Sequence, residues 1–161
     1  MDELVPVRRS LGFLLRDTSR LMRRQFVRCA REAGLPLNRS EASVLVHVDR
    51  EPGLSQAQLA ERLDLEAIAL VRLIDTLERR GLIERRRHCH DRRIRTLWLM
   101  EAARPIVAQA HAVRHDVRTQ ALAGVAEPDQ EKLLDLLMAV RGNLAAPAAK
   151  DRVEETSPPD A

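Results

Sequence analysis

Apolar residues return along this chain at intervals that change character three times. From about Val7 to Ala33 they fall at Leu11, Leu14, Leu15, Leu21, Met22, Phe26 and Cys29, a spacing of threes, fours and sevens that lines one side of an α-helix. Gly34 and Pro36 end it: glycine accepts the left-handed turn that closes a helix, and proline has no N–H with which to continue one. At ~1.5 Å per residue such a helix is roughly 40 Å long. A small domain rarely needs so long a helix for itself, so the spacing predicts pairing with a second chain. Helical spacing returns at the other end of the sequence. One helix is expected from about Glu101 to Leu122, stopping near Gly124. Another is expected from Pro128, with Asp129 and Glu131 in its first turn and Leu133, Leu136, Leu137, Val140 and Leu144 on its buried side.

The middle of the chain has a shorter rhythm. Asn38 followed by Glu41 is a helix-start signature before the run ASVLVHV, and Pro52-Gly53 makes a turn. Ser55 with Gln58 forms a second start signature, a capping box, for QAQLAERL. A break at Asp64-Leu65-Glu66-Ala67 leads into a helix whose buried stripe is Leu70, Leu73, Ile74 and Leu77, with Gly81 where a C-terminal cap belongs. Two short helices joined by a tight turn make a helix-turn-helix. Spacing then changes from helical to extended. Leu82 to Arg87 and Ile94 to Met100 suit strands, with HCHDRR as the polar tip of a hairpin. A helix-turn-helix followed by a hairpin is a winged helix.

Composition narrows the picture. The 161 residues suit one domain or two small halves sharing a core, and 45% apolar content is enough to fill one. Aromatic residues are 2% and tyrosine is absent, which argues against an all-β sandwich. Cys29 and Cys89 are too few for a disulfide framework. No apolar run approaches membrane-spanning length, and the LGFLL stretch is too short for a signal peptide, so a cytoplasmic protein without membrane contact is expected. The last residues, PAAKDRVEETSPPDA, are polar and proline-bearing and are expected to be disordered.

Charge changes the picture most. Between Leu77 and Met100 stand eight arginines (Arg79, Arg80, Arg85, Arg86, Arg87, Arg92, Arg93 and Arg95) against Glu78, Glu84 and Asp91, a surplus of five in a chain whose net charge is +3. They fall at the end of the second helix of the helix-turn-helix and along the hairpin, where they can meet phosphates on both sides of a DNA groove.

The text GLSQAQLAERLDLEAIALVRLIDTLERRGLIERR, followed by DRRIRTLWLMEAARPI, resembles the MarR family of winged-helix regulators and, within it, the SlyA-like branch. The resemblance covers about Leu37 to Ile106. It implies a mainly α fold with a small β-hairpin wing: a winged helix-turn-helix at 37–100, an N-terminal dimerisation helix within 1–36, C-terminal dimerisation helices within 101–146, and a disordered tail over 147–161. It also implies an entwined homodimer on double-stranded, pseudopalindromic DNA. In the family the D-x-R of the wing tip uses its carboxylate to orient an arginine entering the minor groove, which assigns those roles to Asp91 and Arg93. Arg72 takes a position near bases or phosphates. Ser55 and Gln56 offer a hydroxyl and backbone N–H groups to a phosphate. Arg86, Arg92 and Arg95 join them along the wing.

Three departures bear on that reading. Ala67, Ile68 and Ala69 stand where the branch often carries polar base-readers; apolar side chains can touch thymine methyls but make no hydrogen bonds to base edges. Asp64 replaces a frequent turn glycine, though aspartate tolerates the left-handed conformation better than most residues. Met100 and Trp98 replace a threonine and a polar wing residue, and Trp98 is expected to pack rather than face water.

Other chemistry is thinly represented. The HCHD run at His88 to Asp91 contains metal-ligand types, but adjacent residues on a hairpin tip rarely converge on one ion, so no metal and no cofactor is expected. Cys89 lies among histidines and arginines that favour a thiolate, which leaves a redox-responsive regulator open as an alternative. Cys29 lies on an apolar helix face and suits inert packing. His47 lies in a mostly apolar helix, and His111 and His115, one helical turn apart, lack a third ligand. No nucleophile elbow or phosphate loop is present, so an enzyme is not expected. In the family small aromatic acids act as effectors, and Phe13, Arg16 and Arg20 suit a ring and a carboxylate; the two arginines suit a solvated helix face equally. The expected function is a homodimeric, sequence-specific DNA-binding repressor released by a small aromatic acid. Non-specific architectural DNA binding and a winged helix that binds protein are the other classes.

Overall fold

The computed structural model describes residues 9–88, 91 and 93–145. Ser10 starts helix α1 (Leu11–Glu32) by accepting a hydrogen bond from the Phe13 N–H. Gly34, at φ +66°, ends it: the Leu35 N–H reaches back to the Ala30 carbonyl at 2.9 Å and the Gly34 N–H to Arg31 at 3.1 Å, which satisfies two of the last carbonyls. Both capping boxes form, Asn38 with Glu41 before α2 (Arg39–Arg50) and Ser55 with Gln58 before α3 (Gln56–Leu63). Asp64 takes the left-handed conformation at φ 51°, the only non-glycine described residue at positive φ, and turns the chain into α4 (Ala67–Arg79). The break between α3 and α4 is therefore 64–66, one residue shorter than the sequence suggests, because Ala67 already has helical geometry. Gly81 closes α4 as Gly34 closes α1, at φ +67° with the Leu82 N–H on the Leu77 carbonyl.

Strands β1 (Ile83–Arg87) and β2 (Arg95–Leu99) pair antiparallel, with Ile83 opposite Leu99, Arg85 opposite Leu97 and Arg87 opposite Arg95. The hairpin is tied to the start of α3. The Leu97 N–H donates to the Leu54 carbonyl at 2.9 Å, the Gly53 N–H donates to Leu97 at 3.0 Å, and Ser55 bridges Thr96. Trp98 packs over this junction. Gly53, at φ +89°, leaves it room, since a Cβ there would lie 3.2 Å from the indole. The packing role expected for Trp98 is what the fold shows. A 3₁₀ turn (Glu101–Ala103) leads into α5 (Arg104–Ala121), and α6 spans Glu127–Ala145.

The chain divides into two compact units at Ala121/Leu122, the second containing α6. In the first, α2 is the central element: Ala42, Val44, Leu45, Val46 and Val48 are all buried, as expected of a helix covered on most sides. Leu59, Leu70, Ile74, Leu77, Ile83, Leu97 and the Val107–Val117 stripe of α5 close around it. Glu51, capping α2, pairs with Arg62 of α3; that hydrogen bond draws the carboxyl below its usual range and the guanidinium above its own.

Two apolar stripes stay largely exposed in the single chain. Of the α1 stripe only Phe26 and Cys29 are buried, while Leu11, Leu14, Leu15, Leu21 and Met22 stay exposed. On α6 no residue is buried; Leu133, Leu136 and Leu144 are 42%, 57% and 80% exposed, and Leu137 and Val140 are half-buried. Among the described residues none buries these side chains. The tail over 147–161 lies outside the described residues.

Candidate nucleic-acid interface

Three elements meet around one groove. The start of α3 contributes Ser55 and Gln56, the first turns of α4 contribute Ala67 and Val71, and the hairpin contributes Arg93 and Arg95; the cavity between them is about 390 Å³. Ser55 is fixed there by its own cap. Its Oγ accepts from the Gln58 N–H at 3.2 Å, while Gln58 Oε1 accepts from the Ser55 N–H at 2.9 Å. The reciprocal cap fixes the first turn of α3, whose backbone N–H groups carry partial positive charge.

The exposed side of α4 follows helical spacing: Ile68, Val71, Arg72, Asp75 and Arg79 recur at steps of three and four. Ala67, Ile68 and Ala69 are all exposed, Ile68 by 71%. Arg72 is also exposed, on the same face and one turn further along.

At the hairpin tip Asp91 accepts the Arg93 N–H on its carboxylate at 2.9 Å, and its carbonyl accepts the Ile94 N–H at 3.1 Å. The carboxylate thus shapes the turn from which Arg93 projects, acting on the main chain of Arg93. Alternation along the strands puts Arg95 and Arg85 on one face of the hairpin and Arg86 on the other. Arg86 lies over the Trp98 ring, 4.6 Å from its centroid, and pairs with Glu84. Arg92, Cys89 and His90 lie outside the described residues, so the D-x-R motif is described at its two ends only.

Not all of the arginine cluster faces outward. Arg85, with only 19% of its side chain exposed, is held between Asp75 and Glu78 of α4. Arg80 donates to the Pro36 carbonyl at 2.6 Å and lies 3.5 Å from Glu41. These two bind the winged helix together and are withdrawn from the set of arginines expected at phosphates. The hint in the sequence was Asp75 and Glu78, acids at i and i+3 beside the basic run.

The residues expected at an effector site are all on α1. Arg16 lies 6.0 Å from the centroid of the Phe13 ring, and Arg20 is paired with Asp17. A second basic group was not seen in the sequence because its members are far apart there. Loss of water around Arg114 and the nearness of Arg50 and Arg39 draw its guanidinium below the usual arginine range; Arg39 is drawn down by loss of water and by Arg23. Arg114 and Arg39 thus each feel the positive charge of a neighbouring arginine.

Among the described residues no three His, Cys, Asp or Glu side chains gather to hold a metal ion. His47 Nδ1 lies 2.8 Å from the Ser43 carbonyl, and His111 Nε2 lies 3.4 Å from the Asp49 carboxylate. Among the described residues no helix is long and apolar enough to cross a membrane.

Residues 34–94, from the end of α1 to the hairpin tip, match the model of the MarR family. A solved transcriptional regulator, PA3341, is 32% identical to this chain and superposes with a TM-score of 0.74, over 84% of this chain and 98% of that one. The chain belongs to the MarR family. Its other structural relatives include a transcriptional repressor, CouR, solved on a 23-mer DNA duplex, with 28% identity, a TM-score of 0.69 and coverage of 86% and 99% of the two chains. The apo form of MarR from E. coli, at 22% identity, shares the fold, with a TM-score of 0.71 over 86% of this chain and 98% of that one. The MarR-family fold accounts for the winged helix and for the long helices on either side of it.

Proposed function

We propose that this MarR-family protein is a homodimeric, sequence-specific DNA-binding repressor, with its DNA-binding part at 37–100 and its dimerisation helices within 1–36 and 101–146. The observation that carries the reading is the shared groove. A capped helix start, the exposed side of a recognition helix and a basic wing face the same space, and each is suited to a duplex: N–H groups and arginines to phosphates, α4 to the major groove, Arg93 to the minor groove. The exposed apolar stripes of α1 and α6 support a second copy as the partner that covers them. The similarity to CouR, which was solved on DNA, supports the same reading. Placement in the SlyA-like branch rests on the motif text from Gly53 to Arg86 and from Asp91 to Ile106.

The apolar Ala67–Ala69 segment favours one competing reading, a non-specific architectural DNA-binding protein. Titrating a labelled fragment of the promoter beside the protein's own gene, with and without excess random duplex, separates the two. A specific regulator keeps the labelled fragment against the excess, whereas an architectural protein loses it in proportion. Affinity should fall by orders of magnitude between low and moderate salt, because each phosphate contact releases condensed counterions. A flat salt dependence would remove DNA as the partner.

A small aromatic acid is the effector class we propose. Arg16, beside Phe13, and Arg114, with Arg39 and Arg50 near it, are the cations suited to its carboxylate; Arg20 is already paired with Asp17. Titration with benzoate, followed by release of the labelled fragment, tests it. No release by benzoate or its hydroxylated forms rules the class out.

A further inference from the structure

The first turn of α4 offers carbon to whatever it faces. Ala67, Ile68, Ala69, Leu70 and Val71 contain no side-chain donor or acceptor, and Ile68 and Val71, three residues apart on one face, are 71% and 39% exposed. Resting on the DNA-binding reading above, we propose that Ile68 and Val71 are specificity-determining residues that read thymine through its 5-methyl group in the major groove.

Four observations lead there. In the major groove the methyl of thymine is the apolar feature among the donors and acceptors of the base edges, so it is the base group an aliphatic side chain can select. The neighbours of Ile68, Ala67 and Ala69, carry only methyl groups, which lets the helix approach a base pair closely. Isoleucine and valine are stiff at χ1, so little side-chain freedom remains to be lost when they are covered. The apolar pair is also flanked by cations, Arg72 further along α4 and Arg93 and Arg95 across the groove. An apolar centre within a positive rim complements a polyanion whose groove floor carries methyl groups.

The test begins with the full-length chain selecting its own operator from a pool of randomised duplexes. The operator is then resynthesised with deoxyuridine in place of each thymidine in turn, which removes the methyl and leaves pairing unchanged. The expected result is a symmetric pair of positions where uracil weakens binding by ~4-fold per methyl, or ~15-fold for both half-sites. The I68A/V71A double variant, altered at exposed positions only, should fold as the parent by circular dichroism and bind thymine and uracil operators equally. Ile68→Val, which keeps a branched aliphatic group, should retain part of the preference. Equal binding of both operators by the parent chain overturns the proposal, as does a thymine preference that survives in the double variant or a selected operator without thymine at those positions. Failure of the parent to retain any duplex at low salt is a different result and overturns the DNA-binding reading itself.

Discussion

Arg85 on the first wing strand pairs with Asp75 on the recognition helix, and Glu78 holds the same guanidinium from one turn further along. The pair joins the two elements that a duplex would touch together. The Arg85 N–H also lies 3.3 Å from the Glu78 carboxylate, so strand and side chain are fixed at once. This member of the arginine cluster ties the wing to the recognition helix.

Replacing Arg85 with alanine should therefore lower stability by about 1–2 kcal/mol, between the small effect of an exposed pair and the larger effect of a buried one. Asp75→Asn should be milder, because Glu78 still holds the guanidinium. Urea unfolding of the two variants measures both. If Arg85→Ala leaves the midpoint unchanged while weakening DNA binding as strongly as Arg93→Ala, Arg85 is a phosphate contact after all.

Gly53 and Trp98 give a second prediction. Gly53→Ala puts a Cβ 3.2 Å from the indole at a backbone position of φ +89°, where side chains are strained. The expected loss is on the order of 1–3 kcal/mol. Trp98 is the only tryptophan, so its fluorescence reports this junction directly. An alanine variant with unchanged emission and unchanged thermal midpoint would contradict the close packing described.

Much of this was legible in the sequence, for a physical reason. The signals at Asn38/Glu41, Ser55/Gln58, Gly34 and Gly81 are local: each cap is made by residues within a few positions, so the string shows both partners. The left-handed Asp64 was foreseeable on the same ground. The destination of Arg80 was not, because Pro36 and Glu41 arrive through tertiary contact from far along the chain; that of Arg85 was only hinted at, by the acids Asp75 and Glu78 beside the basic run. What covers the α1 and α6 stripes was not legible for a related reason. Helical spacing shows that a face is apolar, and it does not say which molecule covers it.

That distinction yields a third prediction. If a second chain covers α1 and α6, removing Pro128 to Ala161 should give monomers or aggregates, since Leu133, Leu136 and Leu144 are exposed in the single chain. Removing only Pro147 to Ala161 should leave the dimer intact. Light scattering on the two truncated chains distinguishes the outcomes, and a well-folded dimer from the longer deletion would exclude α6 from the interface.

The most discriminating prediction separates Arg93 from Arg72. Arg93 projects from a turn that the Asp91 carboxylate shapes through the Arg93 N–H at 2.9 Å, at the wing tip where a minor groove would pass. A narrow minor groove attracts arginine by its enhanced negative potential and reports chiefly A·T against G·C. Arg72 stands on the exposed side of α4, where a bidentate contact to guanine would discriminate by roughly 1–3 kcal/mol. In a two-fold dimer each contact occurs twice, on half-sites about 10 base pairs apart. Arg93→Ala should accordingly weaken binding to every operator-like sequence, most where A·T-rich flanks narrow the groove. Asp91→Ala should act in the same direction but less, because it loosens the turn and leaves the guanidinium in place. Arg72→Ala should instead relax the preference at one symmetric pair of positions. Selections on randomised operators with the three variants measure all of this together. A lower affinity for Arg72→Ala with an unchanged selected motif would make Arg72 a phosphate contact and leave base reading to the apolar first turn of α4.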